Sequence, residues 1–398
     1  MPTLFVTHTS HFLRAPDGAV YASNTLLSRS FWTRYLTVFD SVTVAARVGR
    51  VDRVPEGLPR ADGDGVTFAD LPDYRGPWQY AARRRELGAA LRKAIAGCDV
   101  FCLRVPCAIA TLAWKSLRRQ SIPFGLEVAG NPRDSLASGG VRSIVRPLAG
   151  ALAVRDLRRQ CREACAVAYV TRETLQRSYP PSSFAFTTHY SSIELPPDAL
   201  VAKPRESFAG ASRLVFVGSL AVLYKGPDVL LRALAECRRV APMLTIIGDG
   251  RERAGLEALA RKLGLENRVR FCGQLPAGGA VRRELDAADL FVLPSRADAL
   301  PRALIEAMAR GLPCIASRIG GVPELLDETD LVTPGSASDL AERIDALLTD
   351  PQRMLQTARR NLDRAREYIA PLLAARRHEF YAELLHRTEA VRRSPASK

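Results

Sequence analysis

The residues with the clearest chemical promise lie in the second half of the chain. In "LVFVGSLAVLYKGPDVLLRAL" a buried-looking strand runs to Gly218, a loop beginning at Ser219 follows, and Lys225-Gly226 precedes a helix starting near Pro227. Glycine at the carboxyl end of a strand lets a ligand approach the backbone closely. Open α/β sheets bind ligands in that crevice, and a lysine there can neutralise a diphosphate. A tight turn with a solvated lysine fits the same letters equally well. The segment "LTIIGDGRERAGLEALARKLGLENRVRFCGQLP" reads as strand, Gly248-Asp249-Gly250 turn, helix, strand and a Gly273-Gln274-Leu275 loop. Alone it describes only a βαβ unit.

The most specific segment is "ADLFVLPSRADALPRALIEAMARGLPCIASRIGGVPEL". A strand ends at Pro294-Ser295, Asp298 sits in the next loop, and a helix begins near Leu300–Pro301, where proline suits the first turn. The helix start offers unpaired backbone N–H groups and a partial positive charge, which suit a phosphate. Glu306 lies about two turns further on. An ionised carboxylate accepts through two oxygens, so it can hold a ribose diol, and Asp298 could hold hydroxyls of a sugar beyond the phosphate. A single helix carboxylate is usually a solvated surface charge. Here Ile305, Ala307 and Met308 leave little polar face for one.

The first half is less explicit. Glu127, in "FGLEVAGNPRD", ends a buried-looking strand at the expected cleft edge. It could orient an acceptor or a reacting sugar, or simply pair with an arginine. His8, His11 and His189 fall near strand ends and read as hydrogen-bonded structural histidines rather than catalysts. Asp62-Gly63-Asp64 has the look of a metal ligand pair but sits in a polar turn, and a plain surface loop is the expectation. Cys98, Cys102 and Cys107, and Cys161 and Cys165, form no C-x-x-C pair. With few histidines nearby they read as small buried side chains rather than zinc ligands.

These residues must be positioned by a larger frame. The chain has 398 residues, more than one core should hold, so two domains are expected. Short β-rich runs alternate with helical stretches nearly throughout, which predicts βαβ units and parallel sheets, an α/β fold. Helical patterns lie at Tyr21–Val38, Trp78–Ala96 and Val141–Ala164. "PPDALVAKPRES", Pro196–Ser207, has no apolar period and suits a linker. The expected units are residues 1–200, residues 207–370, and a last helix over Pro371–Arg393 with a frayed tail to residue 398. No apolar run reaches the length that spans a bilayer. The start reads as a first strand rather than a signal peptide, and a reducing cytosol is the expected location.

Hydrophobic residues make up 47% and charged residues 25%, which excludes wholesale disorder. The net charge of +15 favours anionic partners. Residues 101–200 hold 13 Lys or Arg against 7 Asp or Glu, many of the basic ones along "VRSIVRPLAGALAVRDLRRQCR", Val141–Arg162. That segment reads either as a helix on an anionic membrane surface or as a core helix with an arginine-rich outer face. Arg83-Arg84-Arg85 could assist the former. No aromatic-studded basic strand, helix-turn-helix or zinc-finger pattern supports nucleic-acid binding.

The three segments, in this order and spacing, resemble the family 4 glycosyltransferases of the GT-B architecture. The resemblance is detailed over Leu214–Glu324 and rests on "YKGPDVLL", "IIGDG", "RVRFCG", "LPSRADALPRALIEAMARGLPCIAS" and "GGVPEL" together. It implies two Rossmann-like domains facing across a cleft. The C-terminal domain would hold a nucleotide-diphosphate sugar, UDP- or GDP-linked, the N-terminal domain would hold the acceptor, and the last helix would cross back to the first domain. Lys225 would bind the donor diphosphate beside Gly218, Ser219 and Gly248, and Glu306 the ribose. Backbone amides over Ala299, Leu300, Pro301, Arg302 and Ala303 would meet the distal phosphate and sugar. Gln274 and Leu275 would flank the base, and Gly18, in the loop after the first strand, would approach the donor.

The resemblance further implies transfer with retention at the anomeric carbon, with no cofactor besides the donor and no metal. Lys225 and the helix start would supply the fixed positive charge that a departing diphosphate needs. Lys225, Asp298 and Glu127 are the expected catalytic residues. The acceptor would be a glycan or a polyprenyl-diphosphate-linked glycan in surface polysaccharide assembly, made at the inner face of the plasma membrane. Two positions depart from the family pattern. Ser219 stands where an arginine usually follows the glycine, and Asp298 stands where the first of two glutamates usually lies. They keep open a catalytically weak nucleotide-sugar-binding scaffold, with a sugar-nucleotide epimerase as a further alternative.

Overall fold

The computed structural model describes residues 2–23, 27–137 and 146–393. Its frame is two parallel sheets, the first of which also carries one short antiparallel strand. The first contains β1 (Thr3–Arg14), β2 (Val20–Ala22), β3 (Ser41–Arg50), β4 (Val66–Leu71), β5 (Val100–Val105), β6 (Gly125–Val128), β7 (Ala166–Tyr169) and β8 (Phe186–His189). Their order is β4-β3-β1-β5-β6-β7-β8, with β2 antiparallel on β1. The second contains β9 (Arg213–Val217), β10 (Met243–Ile247), β11 (Val269–Phe271), β12 (Leu290–Leu293), β13 (Cys314–Ser317) and β14 (Leu331–Val332), in the order β11-β10-β9-β12-β13-β14.

Both sheets are doubly wound, and the strand order reverses beside β1 in one and beside β9 in the other. Ligand crevices form at such switch points, outside the carboxyl ends of the strands. In the second sheet the crevice lies between Val217 and Leu293, the strand ends that lead into the Lys225 and Asp298 loops. The inner strands read as unbroken apolar runs because helices cover both faces; all four residues of β12 and of β13 are buried. The α/β expectation holds.

Some local expectations do not. Tyr21–Val38 is not one helix. It opens with β2, and further on holds a short helix, Arg29–Trp32, and a 3₁₀ turn, Thr33–Thr37. The cause is the length of β1, which runs on to Arg14 past an irregularity between Thr7 and His11 and turns back as a hairpin. That hairpin gathers Phe12, Trp32 and Phe68 into an aromatic cluster, with ring centroids 4.7–6.1 Å apart. Val66–Leu71, after the Asp62-Gly63-Asp64 turn, is a strand with Val66 and Leu71 buried. The helix expected over Val141–Ala164 is seen as Arg146–Glu163; its first residues, 141–145, and the tail 394–398 lie outside the described residues. The last helix, Ala370–Arg393, packs on β5, β7, β8 and the Thr33–Thr37 turn, back on the first sheet.

Candidate functional site

Two loops build the core of the crevice. After β9 the chain makes a 3₁₀ turn, Leu223–Lys225, and enters the helix Pro227–Glu236 through Gly226. Gly226 has φ +73°, and a Cβ there would lie 2.0 Å from the Pro294 carbonyl oxygen, so only glycine lets the two loops touch. Arg296 then ties them. It donates to both carboxylate oxygens of Asp228 at 2.8 and 2.6 Å and to the Leu223 carbonyl at 2.8 Å, while its own N–H meets the Tyr224 carbonyl at 2.6 Å. The Asp298 loop is braced from behind by Gly320, φ +47°, where a Cβ would lie 1.9 Å from the Asp298 carbonyl oxygen. Sequence reasoning singled out neither Arg296 nor Asp228.

The result is a cavity of about 370 Å³ between the two halves of the molecule. From the second half it is lined by Lys225, Asp298, Ala299, Leu300 and Arg302; from the first, by Asn131, Asp134, Ser191 and Ser192, among others. Lys225 donates to the Asp298 carboxylate, and both side chains are largely buried. Burial, and then the negative charge of Asp298, raise the Asp134 carboxyl above its usual range.

A second cavity, about 610 Å³, adjoins the first; Arg302 and Ser192 line both. Glu306 lines it, one turn along the helix Arg302–Ala309 from Arg302. Burial raises the Glu306 carboxyl above its usual range, partly offset by the charges of Arg302 and Arg282. His8, Phe31, Arg34 and Arg104 form part of the opposite wall. Lys225, Asp298 and the helix start therefore line one chamber and Glu306 the other, and Arg302 and Ser192 line both.

Other expected residues fall elsewhere. Gly218, Ser219, Gly248, Gln274, Leu275, Pro301 and Ala303 do not line these two cavities. Gly218 and Gly248 sit at the ends of β9 and β10, where the Gly218 N–H meets the Ile247 carbonyl at 2.9 Å and the Gly248 N–H meets the Gly273 carbonyl at 2.9 Å. The Ser219 hydroxyl accepts from the Ala221 N–H at 3.2 Å, and the Gln274 amide donates to the Leu275 carbonyl at 3.2 Å. Gly18 requires correction. It occupies the β1–β2 hairpin turn at φ +86°, with open space where a Cβ would go, and it lines neither cavity. The long first strand carries the turn away from the cleft. His8, within the β1 irregularity, reaches the wall instead.

Glu127 follows the second of its two readings, a carboxylate paired with an arginine. It is 4% exposed and lines a small cavity that shares Ser191 and Ser192 with the first chamber and Arg34 and Arg104 with the second. Arg104 donates to it, as do the hydroxyls of Tyr35 at 2.9 Å, Tyr190 at 2.8 Å and Tyr381 at 3.0 Å. Burial alone would raise this carboxyl, but the Arg104 charge and the hydroxyl donors outweigh it and hold it below its usual range. Glu127 is a buried anchor. Its donors come from four separate elements, which is why no local spacing announced them. Asn131 and Asp134 follow β6, and Ser191 and Ser192 follow β8; their only sequence signal was a position just after a strand's carboxyl end. The remaining doubtful groups are accounted for locally. Asp62 holds Arg60 at 2.8 Å, His189 lies 3.1 Å from Arg376, and all eight cysteines are free thiols.

Residues 203–366 match the family model of "Glycosyl transferases group 1". The chain is 26% identical over 330 residues to Protein CapJ of Staphylococcus aureus, covering 82% of each. It is 34% identical over 224 residues to a GDP-mannose-dependent alpha-(1-6)-phosphatidylinositol monomannoside mannosyltransferase of Mycolicibacterium smegmatis, covering 50% of this chain and 56% of that one. Seven other curated relatives align over 33–57% of their own length. Among solved structures, sucrose-phosphate synthase from Thermosynechococcus elongatus superposes with TM-score 0.71 at 18% identity, covering 97% of this chain and 100% of that one. Anabaena Alr3699/HepE in complex with UDP superposes with TM-score 0.64 at 17% identity, covering 98% and 100%.

Proposed function

We propose that the chain, whose residues 203–366 match the group 1 glycosyltransferase family model, is a family 4-like glycosyltransferase of GT-B architecture that moves a hexose, with retention, from a UDP- or GDP-linked donor to a glycan or lipid-diphosphate-linked acceptor. The observation that carries this reading is the pair of chambers that share Arg302 and Ser192, with Asp298 and Lys225 in one and Glu306 in the other. A nucleotide sugar has a matching order of groups: sugar, diphosphate, ribose. Glu306, ionised, accepts from the ribose hydroxyls. Lys225 and the N–H groups opening the helix Arg302–Ala309 face the diphosphate, where leaving-group charge grows. That fixed positive charge serves the role a metal ion plays in other transferases. Asp298 takes sugar hydroxyls, and the departing phosphate receives the acceptor's proton.

The donor classes rest on relatives: one mannosyltransferase is named as GDP-mannose-dependent, and Alr3699/HepE was solved with UDP. Thermal-shift titration with UDP-, GDP-, ADP- and TDP-sugars tests the reading, since a ligand bound only to the folded chain raises its melting temperature by mass action. At least one donor is expected to raise it in a concentration-dependent way. No shift with any donor at millimolar concentration sinks the proposal.

A membrane-facing acceptor is favoured by the first half of the molecule. The helix Arg146–Glu163 exposes Leu148 and Leu152, one turn apart, among arginines, and the helix Gly76–Ala96 exposes Trp78 near Arg83, Arg84 and Arg85. Apolar side chains within a basic surface suit an anionic bilayer. No helix of the described residues is long and apolar enough to cross one. Sedimentation with phosphatidylglycerol vesicles but not with phosphatidylcholine vesicles is the expected result; equal recovery with both refutes surface attachment through charge.

A further inference from the structure

We infer that the Arg302 side chain, and not only the backbone at its helix start, is the second cation that holds the donor diphosphate beside Lys225. The inference rests on the reading of the cleft as a nucleotide-sugar site and assigns a residue within it. Its first support is position. Among the described residues only Arg302 and Ser192 line both chambers. A donor with its ribose at Glu306 and its sugar at Asp298 must therefore carry its diphosphate past Arg302.

The second support is availability. Every other arginine or lysine lining the two chambers already has a carboxylate. Arg34 holds Glu194 at 2.6 Å, Arg282 holds Asp198 at 3.1 Å and Arg310 holds Asp286 at 2.6 Å. Arg104 is bound to Glu127 and Lys225 to Asp298. Arg302 has no ion pair among the described residues, and it is exposed to the hollow. Its guanidinium acts on Glu306 only at a distance, as the leading charge opposing that carboxyl's upward shift. An incoming anion thus finds one guanidinium that need not give up a partner first. A planar guanidinium can meet two phosphate oxygens at once, which an ammonium cannot.

The test compares nucleoside with nucleoside diphosphate by titration calorimetry, using uridine against UDP and guanosine against GDP. For whichever diphosphate the wild type binds, Arg302→Ala and Arg302→Gln are expected to weaken it at least ten-fold and leave the nucleoside unchanged. Arg302→Lys is expected to recover part of the loss. Because Arg302 is exposed, melting temperatures without ligand should match wild type, which separates binding from folding. Wild-type diphosphate affinity in Arg302→Ala, with loss in Lys225→Ala, overturns this assignment and leaves the donor-site reading standing. Equal weakening of nucleoside and diphosphate overturns it as well. If the wild type prefers neither diphosphate over its nucleoside, the donor-site reading itself fails, and this assignment with it.

Discussion

Lys225 and Asp298 form an ion pair inside the cleft, and on the proposed donor reading a diphosphate would compete with that carboxylate for the same ammonium. Charge-assisted bonds of this kind are worth about 1.5–3 kcal/mol each, so Lys225→Ala should weaken UDP or GDP at least ten-fold. Asp298→Asn should act in the opposite direction. It frees the ammonium and removes a negative charge beside the phosphates, so diphosphate affinity should rise several-fold while transfer falls. Calorimetric titration and a turnover assay read the two effects; unchanged affinity in both variants removes the pair from the site. His8 makes a different residue-scale statement. Burial first, then the charges of Arg104 and Arg47, lower its pKa from 6.5 to about 3. Its Nδ1 accepts from the Ser10 N–H at 3.1 Å, which requires the neutral ring. Between about pH 6.5 and 3 the unfolded chain carries a proton at His8 and the folded chain does not, so stability falls as pH drops through that window. His8→Asn should flatten the urea-unfolding stability profile between pH 6.5 and 4 relative to wild type. An unaltered slope means His8 does not titrate as placed.

At the scale of elements, the Glu127 cluster joins parts of the chain far apart in sequence. β6 supplies the carboxylate, β5 supplies Arg104, and the Thr33–Thr37 turn, the residue after β8 and the last helix supply the tyrosines. Tyr381 also packs on Tyr35 with ring centroids 4.8 Å apart, so the last helix is pinned by both area and a charged hydrogen bond. Removing the carboxylate leaves Arg104 buried without its partner, and Glu127→Ala is expected to cost about 3–5 kcal/mol. Tyr381→Phe removes one donor of several and keeps the ring, so about 1.5–3 kcal/mol is expected. Urea denaturation distinguishes them. Equal losses would mean the cluster does not depend on its central charge. Donor affinity in Tyr381→Phe should stay at the wild-type value, because the cluster lies behind the wall of the cleft.

At the scale of the molecule, the two halves are clasped beside the site. Glu324, in the second half, accepts from the backbone N–H groups of Arg172 at 2.6 Å, Glu173 at 3.1 Å and Thr174 at 2.7 Å, and from the Thr174 hydroxyl at 2.6 Å. It thereby caps the short helix Thr174–Ser178 of the first half with a carboxylate that helix does not own. Arg172 adds an ion pair to Glu367 at 3.2 Å. Gly321, three residues before Glu324, donates to the Ala299 carbonyl at 2.6 Å, so the clasp and the wall of the first chamber share one loop. Loss of a helix cap costs about 1–2 kcal/mol. Glu324→Ala should lower the melting temperature, speed hydrogen exchange at the amides of residues 172–174 and weaken donor turnover more than donor binding. Wild-type exchange at those amides would show that the clasp contributes nothing in solution.

The sequence alone determined the chemistry-bearing letters and the kind of frame that carries them. Strand and helix patterns are local, and so are glycine at a strand's end, proline at a helix start and a carboxylate two turns on. That is why the α/β architecture and the Lys225, Asp298 and Glu306 segments could be read before any coordinates. Pairing is not local. That Glu127 faces inward, that β1 carries Gly18 away from the cleft, and that among the described residues Arg302 alone of the cleft cations lacks a carboxylate were decided by tertiary packing. Each depends on which side chains from distant elements arrive at one point, and burial there fixes what a charge must find as a partner.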